Sequence, residues 1–173
     1  MKHTCLAAGI AAALLITLSA CGAVSPQETL SRELGVDLSS GAEVSSYDTH
    51  GGNGDGTSCT VLDFTDHSLA GQLEDAPDWT PLPLDPTAQA LVYGISEDTV
   101  SIGPFLTDAD GTPLVPEIQT GYYRLLDRQN NKEVPLLERF SFNFTLALYD
   151  TDTDRLYAVS YTHLRAHETS AHL

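Results

Sequence analysis

Apolar and polar positions alternate most strictly late in the chain, where Phe140, Phe142, Phe144, Leu146 and Leu148 interleave with Ser141, Asn143, Thr145, Ala147 and Tyr149. A period of two sends successive side chains to opposite faces, so the run predicts a strand that buries one face. The turn-forming run Asp150-Thr151-Asp152-Thr153-Asp154 follows, and residues 155–158 are expected to pair back as a hairpin strand. Residues 59–64 alternate in the same way, with Cys59, Val61 and Asp63 on one face and Thr60, Leu62 and Phe64 on the other. Residues 99–106 and 121–128 also read as β, with a turn at Asp108-Ala109-Asp110-Gly111 between them.

Helical signals are short. Ser25 is placed as an N-cap, with Pro26 at the first helical position, Glu28 completing a capping box, Leu30 and Leu34 on one face and Gly35 as terminator. So little apolar face predicts weak docking or a tether. Asp66 or Thr65 is expected to cap a second helix carrying Leu69 and Leu73, stopped by Pro77. Residues 77–86 hold four prolines and read as a stiff irregular connection pinned by Trp79. Asp85-Pro86 then restarts a helix through Ala88, Leu91 and Val92 to Gly94, although its Leu91-Val92-Tyr93 end also suits a strand. Together these elements predict an α+β fold, an antiparallel β-sheet with a few short helices in a single small domain.

One apolar run is of a different kind. After Met1-Lys2-His3, residues 6–18 are apolar or small and too few to span a bilayer comfortably, which is the pattern of a signal peptide. The run ends in Leu18-Ser19-Ala20-Cys21, which resembles the lipobox of bacterial lipoproteins processed by signal peptidase II. Cys21 would then be the first mature residue, its thiol taking a diacylglycerol, and membrane lipid would be a partner through acylated Cys21. Several acyl chains, at about 0.8 kcal/mol per buried CH₂, give stable anchoring. The alternative is an ordinary secretory signal with Cys21 an incidental thiol. On the lipoprotein reading the chain divides into a signal peptide at 1–20, an anchored tether or short helix at 21–40 and the α+β domain at 41–158. The protein is placed at the cell membrane, on its extracytoplasmic face.

The opposite end also calls for separation. Residues 159–169, Val-Ser-Tyr-Thr-His-Leu-Arg-Ala-His-Glu-Thr, resemble one reading frame through a transposase-type sequencing adapter, and His172-Leu173 fits its constant end. Residues 159–173 are therefore expected to be an adapter-derived tail, with the native end lying at or beyond Ala158. His163, His167 and His172 would otherwise pass for a metal-ligand cluster.

Charge narrows the partners. The chain carries 8 basic and 24 acidic residues, a net charge of −16. Setting aside Lys2, Arg165 and Glu168 leaves 6 and 23, a net charge of −17 for residues 21–158. Nucleic acid and anionic headgroups would be repelled, so no nucleic-acid partner is expected. Of the three cysteines, Cys5 leaves with the signal and Cys21 carries lipid. Cys59, in a strand-like run, is expected to be a buried inert thiol without a disulfide partner.

Three segments carry candidate chemistry. Leu106, Asp108, Asp110, Gly111 and Glu117 fall on a calcium-loop template, but a leucine occupies the first ligand position and prolines forbid the exiting helix. A turn is the simpler reading. Asp150, Asp152 and Asp154 begin a similar pattern with Arg155 in place of the required glycine, which leaves a weak cation-binding alternative. In the glycine-dense segment from Tyr47 to Gly56, Asp48, His50, Asn53 and Asp55 lie close enough along the chain to converge on a ligand. The simpler reading is a solvated loop joining two strands of a hairpin. It matches neither a phosphate loop nor a dinucleotide fingerprint. No metal site, cofactor motif or nucleophile elbow is present, so no catalytic residue and no cofactor are assigned.

Tyr47-Asp48-Thr49-His50-Gly51-Gly52 with Gly54-Asp55-Gly56, then Trp79, Leu82-Pro83-Leu84, residues 103–108, Gly121-Tyr122-Tyr123 and Ser141-Phe142-Asn143-Phe144 carry a resemblance. In these the chain resembles an uncharacterised family of small exported lipoproteins of clostridial (Firmicutes) gut-type bacteria. The resemblance implies a Gram-positive envelope setting, with little native sequence beyond Ala158, and transfers no site residue. The expectation is a non-enzymatic binding module for an envelope protein or small ligand. An envelope enzyme, such as a hydrolase using Asp48, His50 and Asp55, is the alternative, with cation binding as a third reading.

Overall fold

The computed structural model describes residues 24–97, 99–130 and 132–164. The leader and Cys21 lie outside the described residues. The chain folds as α1 (Pro26–Leu34), β1 (Ala42–Asp48), β2 (Gly56–Asp63), α2 (Ser68–Glu74), β3 (Thr80–Pro81), α3 (Pro86–Val92), β4 (Ile95–Glu97), β5 (Val100–Ile102), β6 (Gly121–Asp127), β7 (Phe142–Asp150) and β8 (Arg155–His163), with a 3-10 turn at Leu136–Glu138. Six strands form one sheet in the order β1-β2-β8-β7-β6-β3, and every pairing in it is antiparallel. The strands β4 and β5 make a separate two-stranded ribbon. The fold is α+β, as the sequence predicts.

The strand from Phe142 buries both faces, not one. Phe144, Leu146 and Leu148 point into a core with Cys59, Tyr157, Val159 and the α3 residues Ala88, Leu91 and Val92. Ala147 and Tyr149 point the other way, into a second core with Leu34, Leu38, Phe64, Leu69, Leu73 and Trp79. The sheet is thus a middle layer, with α1 and α2 on one side and α3 with the 103–120 segment on the other. Each fully buried large apolar side chain is worth about 1.5–3 kcal/mol of burial, which makes the central strands the strongest part of the fold. Phe140 lies before the strand begins and is 77% exposed.

Local signals account for the helix ends. Ser25 Oγ accepts from the Glu28 backbone N–H at 3.0 Å, Pro26 occupies the first turn, and Gly35 ends α1 in a left-handed conformation. The helix expected to dock weakly contributes fully buried Leu34, with Leu38 just beyond it. Asp85 Oδ1 caps α3 by accepting from Ala88 N–H at 2.8 Å. The cap of α2 differs from expectation. His67 occupies that position with φ 51°, and Asp66 Oδ1 accepts the Ser68 N–H at 3.1 Å from one residue further out.

Two β assignments also shift. Residues 99–106 hold only the short β5, because Gly103 turns the chain at φ 73° and Pro104 has no N–H to continue a ladder. Within the proline-rich connection, Thr80 and Pro81 pair with Tyr123 and Tyr122 at the sheet edge. The last strand, expected over 155–158, continues through His163 and pairs with both β2 and β7. The alternation of Val159 and Tyr161 with Ser160 and Thr162 fits the two-sided environment of that position, and Val159 is fully buried.

Candidate functional site

The segment carrying Asp48, His50, Asn53 and Asp55 is the loop of the β1–β2 hairpin. Thr49 closes its base: its N–H donates to Thr57 O at 2.9 Å, and the Thr57 N–H donates to Thr49 Oγ1 at 2.9 Å. Gly51 N–H reaches Asp55 O at 3.1 Å, and Gly54 N–H reaches Gly51 O at 3.0 Å. Gly56 is required at the exit, since a β-carbon there would fall 2.5 Å from the His50 Cα.

Of the four residues, two are brought together. Asp48 Oδ1 accepts from the His50 backbone N–H at 2.8 Å and lies 2.7 Å from His50 Nδ1. The backbone hydrogen bond first, then the contact with the ring, holds the Asp48 carboxyl below its ordinary range. Asp55 is used elsewhere: its Oδ1 accepts the Leu164 N–H at 2.8 Å, and its Oδ2 lies 3.7 Å from His163 Nδ1. Asn53 sits exposed at the loop tip. The expected four-residue convergence is therefore an Asp48–His50 pair.

His50 of that pair borders a groove of about 480 Å³ between α1 and the sheet, lined also by Ser58, Thr60, Arg128 and Ser160 among others. Arg128 Nη2 donates to Ser160 Oγ at 3.1 Å and to Glu33 Oε2 at 3.3 Å across it. An imidazole oriented by a carboxylate can shuttle protons when a nucleophile lies within hydrogen-bond reach of its other nitrogen. Among the described residues, none is hydrogen-bonded to His50 Nε2. Part of the groove wall, Ser160 and Thr162, is supplied by β8.

The acidic turns are internally satisfied. Asp108 Oδ1 accepts the N–H groups of Asp110 and Thr112 at 2.9 and 2.8 Å, and Leu106 is fully buried. Asp150 accepts from Asp152 N–H and Thr153 Oγ1, while Asp154 accepts from Tyr149 and His67. Among the described residues no group of three or more His, Cys, Asp or Glu side chains could hold a metal ion. None of the described helices is long and apolar enough to cross a membrane.

A second cavity has no counterpart in the sequence reading. It is a cleft of about 580 Å³ on the opposite side of the sheet, walled by residues 82–84, by Gln89 and Tyr93 near α3, and by residues from Pro113 to Gln119. Tyr93 holds one wall in place: its hydroxyl donates to Pro116 O at 2.6 Å and accepts the Ile118 N–H at 3.3 Å. Burial, opposed by the Ile118 hydrogen bond and reinforced by the nearby Glu117 charge, raises the Tyr93 phenol above its ordinary range. The only hint in the sequence was apolar residues set among prolines where no regular element can form. No family model, curated protein or solved structure matches this chain.

Proposed function

We propose that the protein is an extracytoplasmic lipoprotein, anchored through acylated Cys21, whose domain is a binding module. The observation that carries this reading is Leu18-Ser19-Ala20-Cys21 at the end of a short apolar leader. Cys21 precedes the start of α1 by only five positions. A chain of that length spans at most ~17 Å, so the anchor would hold the domain against the membrane surface. Packing supports the same arrangement, because α1 is built into the core and would transmit the tether to the whole sheet. Expressed in a Gram-positive host, the chain is expected in the membrane fraction with an acylated N-terminal cysteine by mass spectrometry. Cys21→Ser should move it to the medium or leave the precursor unprocessed. Unchanged, lipidated membrane retention of that variant would overturn the reading.

The Asp48–His50 pair beside the groove favours an envelope enzyme as a second reading. It predicts an activity, found by screening ester and amide substrates, that His50→Ala abolishes without unfolding the domain. An activity insensitive to His50→Ala would exclude this pair as its source.

A further inference from the structure

We propose that the cleft between α3 and residues 113–119 binds a small organic cation with an apolar body. The proposal rests on the binding-module reading and gives that module a ligand class. At about 580 Å³ the cleft lies within the range of small-molecule sites. Leu82 and Leu84 on one side and Ile118 on the other supply apolar walls continuous with the core, with fully buried Val115 packed into the second wall. Val115 and Ile118 are 0% and 9% exposed, so these walls are fixed by packing and do not need to order on binding.

Charge selects the occupant. Glu117 is the one carboxylate in the lining, which contains no Lys, Arg or His. It is exposed and, among the described residues, makes no ion pair; its one hydrogen bond is accepted from Gln119 Nε2 at 3.1 Å. Tyr93 adds an aromatic ring to the same lining, a second group that attracts cations. The net charge of −16 works in the same direction by disfavouring anions. An apolar molecule bearing an ammonium group satisfies both the walls and Glu117, whereas its carboxylate analogue would be repelled.

The test uses three probes that share an indole and a two-carbon chain: tryptamine, tryptophol and indole-3-propionate. Each is titrated calorimetrically into the full chain carrying Cys21→Ser. The expected order is tryptamine tightest and indole-3-propionate weakest, with tryptamine favoured over tryptophol by at least about threefold. Glu117→Gln should reduce the preference for tryptamine over tryptophol, leaving only the share due to Tyr93 and the net charge, with the melting temperature unchanged. Gln119→Trp should fill the cleft and weaken all three. Absence of tryptamine heat, equal affinity for tryptamine and indole-3-propionate, or full tryptamine affinity in Glu117→Gln would each overturn the proposal. None of these results depends on membrane anchoring, which the Cys21→Ser fractionation tests separately.

Discussion

The hydroxyl of Tyr149 donates to Oδ1 of Asp154 across the turn that joins β7 to β8. Asp154 is buried and adopts φ 57°, and its Oδ2 accepts the His67 N–H at 2.8 Å. One carboxylate therefore ties the tightest hairpin of the sheet to the start of α2. Asp154→Ala would leave the Tyr149 hydroxyl without its acceptor and place an alanine where φ is positive. The expected cost is about 2–4 kcal/mol. Asp154→Asn keeps one of the two acceptor oxygens, enough for Tyr149 or for His67, and a residue tolerant of this backbone, so it should cost less. Urea unfolding of both variants decides it, and equal losses would mean that neither the retained oxygen nor the backbone tolerance of asparagine contributes.

Cys59 sits 4% exposed on β2, and burial pushes its thiol from 9.0 up to about 11. A pKa raised in the folded state means that the native protein holds its proton after the unfolded chain has lost it. The contribution is fully present below pH ~9 and is lost as pH rises through ~11, amounting to about 3 kcal/mol. Tyrosine side chains also lose protons in alkaline solution, so the measurement is a difference: stability against pH for the wild type and for Cys59→Ala. The alanine variant should show a shallower decline between pH 9 and 11. In the native state at pH 8, Ellman's reagent should react with Cys59 only on unfolding.

Gly121 opens β6 opposite Asp150 with φ 147°, and a β-carbon there would fall 1.8 Å from Tyr149 O. No side-chain rotation relieves a clash with backbone. Gly121→Ala must separate the β6–β7 ladder at that end or shift the Leu82 N–H that donates to Gly121 O at 2.9 Å. Destabilisation beyond about 3 kcal/mol is expected, with the first loss of amide protection at Tyr122 and Tyr149 by hydrogen exchange. Wild-type stability in this variant would mean that the strand ends are free to separate.

Local chemistry explains what could be read from the chain. Ser25, Pro26 and Gly35 bracket α1 because caps act within a few residues, and Leu62 and Phe64 fall on one face because strand geometry alternates. Both are short-range properties. The covering of the sheet by α1 and α2 on one side and by α3 with the 103–120 segment on the other is a long-range property, and it is the reason β7 buries two faces where alternation predicts one. The hairpin loop shows the same limit: spacing put Asp48, His50, Asn53 and Asp55 together, but Asp55 is drawn to the end of β8, a strand distant in sequence. The Glu117 cleft was hidden for a related reason, since its walls come from irregular segments that have no period.

At the end of α1, two side chains converge on a single acceptor. Leu34 O has no intrahelical partner at this position, and it accepts from Trp79 Nε1 at 3.1 Å and from Arg124 Nη1 at 2.6 Å. Arg124 also holds Asp78 at 2.8 Å, so the proline-rich connection, α1 and β6 meet at one carbonyl. Trp79→Phe keeps most of the apolar bulk and removes one donor; Arg124→Met removes the other. Each should cost about 1–2 kcal/mol, because the remaining donor still satisfies the oxygen. The double variant leaves that carbonyl without a partner and should exceed the sum of the single losses by roughly 1 kcal/mol. Chemical denaturation followed by circular dichroism measures the cycle without relying on the only tryptophan. Strict additivity would show that the two donors act independently.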